Sequence, residues 1–266
     1  LAQKTNQLER VHAIWGISQM ARKQQDLAAL LLPYLKDSDD EIRAQVAKWL
    51  GDIRYKAAGE ALLPLLKDSF SRARFFAAEA LGRIQYEPGI QPIIAMLRDN
   101  NDVDAYLRHA GSLALARIGK TAPIVALAKD TSRAVRIAAV VALRRMSDPG
   151  ITAFLADADE YVVTEVARAI NDDLSIPAAL PALGDILTTT KFKNEALIRR
   201  LVSANLRVGT EKSMQNLIGY ADMENNPELM RAEAVAALGV WPKPSVLDRV
   251  DGRLRGLVKR DSLLVV

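Results

Sequence analysis

Residues 31–53 read LLPYLKDSDDEIRAQVAKWLGDI, and residues 62–84 read LLPLLKDSFSRARFFAAEALGRI. The second stretch starts 31 positions after the first and keeps its outline while changing its charges. Such repetition decides the fold, because a small helical unit written many times buries its apolar face only against its neighbours. With the Arg of each stretch as anchor, eight windows stack, from Arg10, Arg43, Arg74, Arg108, Arg136, Val163, Arg199 and Arg231. The seventh residue after the anchor is always Ile or Leu (Ile17, Leu50, Leu81, Leu115, Leu143, Ile170, Leu206, Leu238), and the third and fourth are small or β-branched. Apolar positions at that spacing mark one face of an α-helix, and small residues let a neighbouring helix come close.

Ahead of most windows lies another apolar segment ending in Asp, at Asp37, Asp68, Asp99, Asp130 and Asp157. Each unit therefore reads helix, Asp-bearing turn, helix. Ser38 and Ser69 follow the Asp, and this polar cluster suits capping of the second helix. Pro33, Pro64, Pro92, Pro123 and Pro181 fall in the first helix, near its start or where they bend it. The expected fold is all-α, an α-α superhelix of about seven to eight helical pairs. One domain is expected over residues 1–266, with 242–266, which are not repeat-like, forming a C-terminal cap. Trp49 and Trp241 read as core and cap.

Proline in the first helix, Asp in the turn and Arg in the second helix resemble the HEAT-repeat family over essentially the whole chain. The resemblance implies a hydrogen-bonded ladder between successive repeats, here from Asp37, Arg43, Asp68, Arg74, Asp99, Arg108, Asp130 and Arg136. Guanidinium and carboxylate have matching fork geometry for such rungs. Two departures stand out: the third unit carries three extra residues around NNDVDAYLRHA, and Val163 takes the place of an Arg.

Half of the chain is hydrophobic but only 5% is aromatic, a helical composition. No apolar run approaches the roughly 20 residues that span a bilayer, so no membrane insertion is expected. The stretch begins with Leu1 and stops at LLVV, which raises the expectation of a piece of a longer chain, monomeric as a fragment. With no cysteine, disulfides, thiolate metal sites and c-type haem attachment are excluded from it. The 36 basic and 32 acidic residues are interleaved, so a pI near 9.3 permits acidic partners without demanding them.

Catalytic signals are absent from the sequence. His12 and His109 share no third ligand at a metal-binding offset, and no GxSxG, HExxH, P-loop or GxGxxG motif occurs. No catalytic residue, metal or cofactor is expected within these residues. An enzyme of the HEAT-like bilin-lyase type would need a perturbed acid or base in a pocket, and the sequence offers no candidate.

Two columns are candidate partner-binding surfaces. Arg83, Arg117 and Arg145 stand nine residues after the anchor in three successive units. They form a basic ridge suited to an acidic partner or to nucleic-acid phosphate. The plainer reading is cations complementing helix C-termini, since Asp52 and Asp172 interrupt the same column. The column five after the anchor holds Trp15, Lys48, Glu79, Leu113, Val141 and Arg168. In HEAT-like solenoids this side of the second helix tends to face the concave surface, and its mixed chemistry suits a protein-binding groove; alternatively Trp15 covers the first helix pair.

Particular phrases, among them RVHAIWGISQMAR, VRIAAVVALRRMSDPGI and RAEAVAALGVWPKPSVLDRVDGRLRGL, further resemble the HEAT segment of large secreted bacterial proteins. Those proteins carry a sugar-dehydrogenase-like β-propeller before the repeats and a c-type haem domain after them. The resemblance implies a periplasmic or extracellular setting, haem elsewhere in the parent chain, and a spacer or scaffold role toward flanking domains or a protein partner. Nucleic-acid binding through the basic ridge is the alternative.

Overall fold

Asp37 uses one carboxylate oxygen to accept the backbone N–H of Asp39 two residues on, at 2.9 Å. Asp68, Asp130 and Asp157 repeat that bond with Phe70, Ser132 and Asp159 at 2.8–2.9 Å. Each such turn ends one helix and aims the next. After these turns Asp39 and Asp159 cap the next helix through their side chains, as Asp104 does after the longer turn, and not Ser38 or Ser69 as expected; Phe70 caps its helix without a side-chain bond, and Ser69 offers only its carbonyl, to Arg74.

The computed structural model describes residues 1, 6–173, 176–257 and 260. Among these the chain is all-α, as expected, with helical pairs in two units, Leu1–Met146 and Ser147–Val266. The first unit holds α1 (Gln7–Ala21), α2 (Asp40–Asp52), α3 (Ser71–Arg83), α4 (Ile90–Asn100), α5 (Ala105–Ile118) and α6 (Arg133–Met146). The second holds α7 (Glu160–Asn171), α8 (Glu195–Val208), α9 (Glu211–Asp222) and α10 (Glu228–Gly239). No described helix is long and apolar enough to cross a membrane.

Helices α2, α3 and α5 are second helices, packed in order. Their partners are mostly tight 3-10 segments, Gln25–Lys36 around Pro33 and Leu63–Lys67 with Pro64 in its first turn. A ring without N–H cannot continue an α-helical ladder, so the chain adopts shorter-range bonds there.

The apolar stripe is buried as its period predicts. Leu50, Leu81, Leu115, Leu143 and Ile170 are at most 1% exposed, and each stabilises its unit by about 1.5–3 kcal/mol relative to exposure. Ile17 and Leu238, in the first and last windows, are half-buried. Glycine sets the helix spacing at two points: a Cβ on Gly51 would stand 2.7 Å from the Cα of Ala80, and one on Gly82 would stand 2.6 Å from that of Ala114. Only a residue without a side chain allows α2 to approach α3, and α3 to approach α5, so closely.

The expected cap lies in the second unit. There Asp248 N–H donates to Arg253 O, and Arg255 N–H to Val246 O, both at 2.8 Å, making a short antiparallel turn. From this segment Arg255 donates to the carbonyls of Asn171 and Asp173 at 2.8 and 2.9 Å, and Arg260 to that of Leu206. Guanidinium groups thus occupy the negative ends of α7 and α8. Trp241 is buried beneath Arg260, whose guanidinium lies 4.4 Å from the ring centroid. Of the expected cap, residues 258–259 and 261–266 fall outside the described residues.

Candidate functional site

The rungs join each anchor Arg to the Asp of the following turn, but only where turn length permits. Arg10 holds Asp37 through both terminal nitrogens. Arg43 clamps Asp68 through Nε and Nη2 at 2.7 and 2.8 Å, while its Nη1 reaches back to Asp37 O at 2.8 Å. Asp68 is drawn below the ordinary carboxylate range chiefly by that Arg43 bond, and Arg43 is raised in turn. Arg74 and Arg136 keep the backward bond, to Asp68 O and Asp130 O at 2.6 and 3.0 Å. Asp99 makes no rung with Arg74 or Arg108: it sits inside α4, ahead of the extra residues, and Arg108 turns to Asp102 at 2.7 Å instead. Asp130 is taken by Arg98 of α4, at 2.6 Å.

On the exposed side of the second helices the two candidate columns merge into one surface. Helical spacing brings positions two before and two, five and nine after each anchor to one face. Along it Trp15 stacks on His12, with centroids 5.1 Å apart, and donates through Nε1 to Gln45 at 3.2 Å. Gln45 donates to Glu41 at 2.7 Å, and Glu41 accepts from Arg72 at 3.2 Å. Toward the helix C-termini runs a second chain of contacts. Lys48 pairs with Asp52 at 2.6 Å, Asp52 with Arg83, and Glu79 with both Arg83 and Arg117, each at 3.1 Å. Two of the three ridge arginines are thus compensated by acidic neighbours. Lys48 also lies 4.1 Å from the centroid of Trp49, which is half-buried.

The family model described as HEAT repeats matches residues 1–69 and 28–116. No curated protein matches the chain. Among solved structures it is similar to the HEAT-like repeats protein of the archaeon Thermococcus onnurineus NA1, at 13% identity over 90% of this chain and 98% of that one, with a TM-score of 0.46. It is also similar to a chain of the complex of CpcE and CpcF of phycocyanin lyase from Nostoc sp. PCC7120, at 23% identity over 79% and 86% of the two chains, with a TM-score of 0.40. Human deoxyhypusine hydroxylase gives 16%, 88%, 97% and 0.37 for the same measures. No activity is carried over from these likenesses.

Trp15, Lys48 and Arg83 lie inside the stretch that the family model matches and Arg117 just beyond it, all on the surface described above. Arg145, on α6, is exposed. Arg168 belongs to the second unit, where it is about half exposed and lies 3.8 Å from Glu165.

Sequence reasoning missed two features. An aromatic groove beside the Asp-bearing turns, about 280 Å³, is lined by Phe75, Phe76 and Tyr106, and Tyr106 is 76% exposed. Adjacent FF and a Tyr two before an anchor were its signals. In the second unit the Asp248 side chain is fully buried between Arg207 and Arg255, at 3.7 and 3.5 Å, and accepts Ser203 Oγ at 3.1 Å. Burial, then the neighbouring Arg255, lower the Arg207 pKa. Nothing local in the sequence marks that association, because Ser203 lies 45 residues before Asp248.

Proposed function

We propose that this chain is a non-catalytic scaffold whose first unit presents the exposed side of its second helices to a protein partner. One observation carries the reading: Trp15 is 42% exposed yet held in place by His12 and Gln45, beside charges already paired with one another. An aromatic fixed before binding loses little rotamer freedom on association, and Trp, Tyr and Arg dominate interface energetics. The test is a photo-crosslinking amino acid placed at Trp15, Lys48 or Tyr106 in the cell of origin, with exposed Gln91 on a first helix as control. Discrete crosslinked products from the three positions and none from Gln91 are expected; equal capture at all four ends the idea.

The sequence phrases that resemble secreted propeller and haem proteins support a finer reading. The chain is a periplasmic or extracellular spacer within a dehydrogenase-like or haem-binding parent, any haem being held outside these residues. A haem-stained gel of the parent protein from separated periplasmic and cytoplasmic fractions tests this, and a haem-free cytoplasmic band rejects it. Nucleic-acid binding through the ridge is less well supported, because Asp52 and Glu79 neutralise Arg83 and Arg117.

A further inference from the structure

Arg74 stands where Arg10 and Arg43 each clamp an Asp, but its own clamp is empty. Only Nη1 is engaged, by the carbonyls of Asp68 and Ser69 at 2.6 and 3.2 Å. The Nε and Nη2 edge, which in Arg43 carries the carboxylate of Asp68, has no hydrogen-bond partner among the described residues. Asp99 precedes the three-residue extension and lies within α4, and the residues that lengthen the turn, Asn101 and Asp102, adopt left-handed φ of 43° and 64°. The insertion thus removes one internal carboxylate from a ladder whose arginine remains in register.

Arg74 lines a cleft of about 390 Å³ with Lys67, Asp99 and Asn100 as its other polar residues and Leu66, Met96 and Leu107 as apolar wall; Asp99 makes no hydrogen bond or ion pair with Arg74 there. The cleft is far larger than a carboxylate and suits a side chain with adjoining backbone. Leu107 also lines the neighbouring groove of Phe75, Phe76 and Tyr106. A guanidinium fork, an ammonium group and an adjacent aromatic trough complement an acidic residue flanked by aromatic ones.

We infer that the Arg74 cleft takes the carboxylate of an Asp or Glu side chain from a protein partner, which replaces the missing rung of the ladder. The inference rests on the protein-interaction reading and names a site apart from the Trp15 surface.

The test is an NMR titration of the whole chain, following the Arg74 Nε–Hε signal as acetyl-Gly-Phe-Glu-Phe-Gly-amide is added, with its Gln counterpart and sodium acetate run in parallel. Saturable movement with the Glu peptide is expected, with about tenfold weaker binding of the Gln peptide, since one charge-assisted bidentate pair is lost. Arg74→Lys keeps a donor to Asp68 O and should retain the melting temperature while losing the same factor. Glu and Gln peptides of equal affinity, or an unmoved Arg74 signal, overturn the inference. So does acetate saturating at the peptide's concentration, which would make the ligand a free small carboxylate. A free-protein Arg74 signal that moves on Asp99→Asn would show the fork filled from within, and would overturn it equally. Shifts confined to Trp15 and Arg117 would sink this site and leave the protein-interaction reading standing.

Discussion

Glu79 on α3 accepts a hydrogen bond from Arg117 on α5 at 3.1 Å, and its second oxygen takes Arg83 at the same distance. One carboxylate therefore holds two cations from adjacent helices. Glu79→Ala should free Arg117 while Asp52 still holds Arg83, costing only about 0.5–1 kcal/mol of stability because the arginines are about a third exposed. The larger effect is electrostatic. The variant should bind duplex DNA with a log–log salt slope steeper by about one than that of the parent protein. A parent protein that already binds with such a slope would restore the basic-ridge reading.

Asp68 offers a pH test. Its folded pKa lies below the ordinary value, chiefly through the Arg43 bond. A depressed acid contributes stability that is complete above the unfolded pKa, near 4, and is lost as pH falls through the folded value. Asp68→Asn should thus cost about 3 kcal/mol at pH 7, as expected for breaking a largely buried pair. The gap between variant and parent should narrow below pH 4. Urea midpoints at pH 7, 4 and 3 give the comparison, and a gap independent of pH would assign the cost to packing.

Gly82 and Gly16 should respond in opposite directions. A Cβ at Gly82 meets the backbone of Ala114, so Gly82→Ala should destabilise by about 1–3 kcal/mol as α3 and α5 are pushed apart. Gly16 lies within α1 with nothing within 4 Å, and Gly16→Ala should stabilise by about 0.5–1 kcal/mol through helix propensity alone. Thermal melts of both variants decide the matter. Destabilisation of similar size at both positions would contradict the close-approach argument.

Arg255 draws the C-terminal segment onto α7 through Asn171 and Asp173 and onto Asp251 at 2.8 Å. Arg255→Ala strands the Asp173 carbonyl, leaves that of Asn171 to Arg207 alone, and removes one neutralising partner of buried Asp248. A loss of about 2–3 kcal/mol is expected. Hydrogen exchange should quicken at residues 246–255 before it does in α8. Unchanged exchange there would show that the segment is held by other contacts.

The fold was legible because a helix period needs only the chain itself: Leu50, Leu81 and Leu115 recur at fixed offsets and are all buried. The turn aspartates were legible for the same local reason. What stayed hidden depends on reach across helices. Asp99 looked equivalent to Asp68, but three added residues changed which carboxylate meets which guanidinium. Arg83 and Arg117 looked like a ridge because sequence columns align one residue per repeat, whereas Asp52 and Glu79 approach from the neighbouring helix or an adjacent turn. Gly51 and Gly82 were visible as letters in the quoted stretches, and only the distance between helix axes explains them.

The rung partners Arg10 and Asp37 are 27 residues apart, and Arg43 and Asp68 are 25 apart. Contacts of such short range along the chain make loop closure inexpensive, so neighbouring pairs can form quickly and from several starting points. They also mean that lengthening this protein requires no redesign of what is already there. A duplicated stretch brings its own Arg and its own Asp, accepts from the copy before it and donates to the copy after, which is how two nearly matching sentences come to stand side by side at residues 31–53 and 62–84.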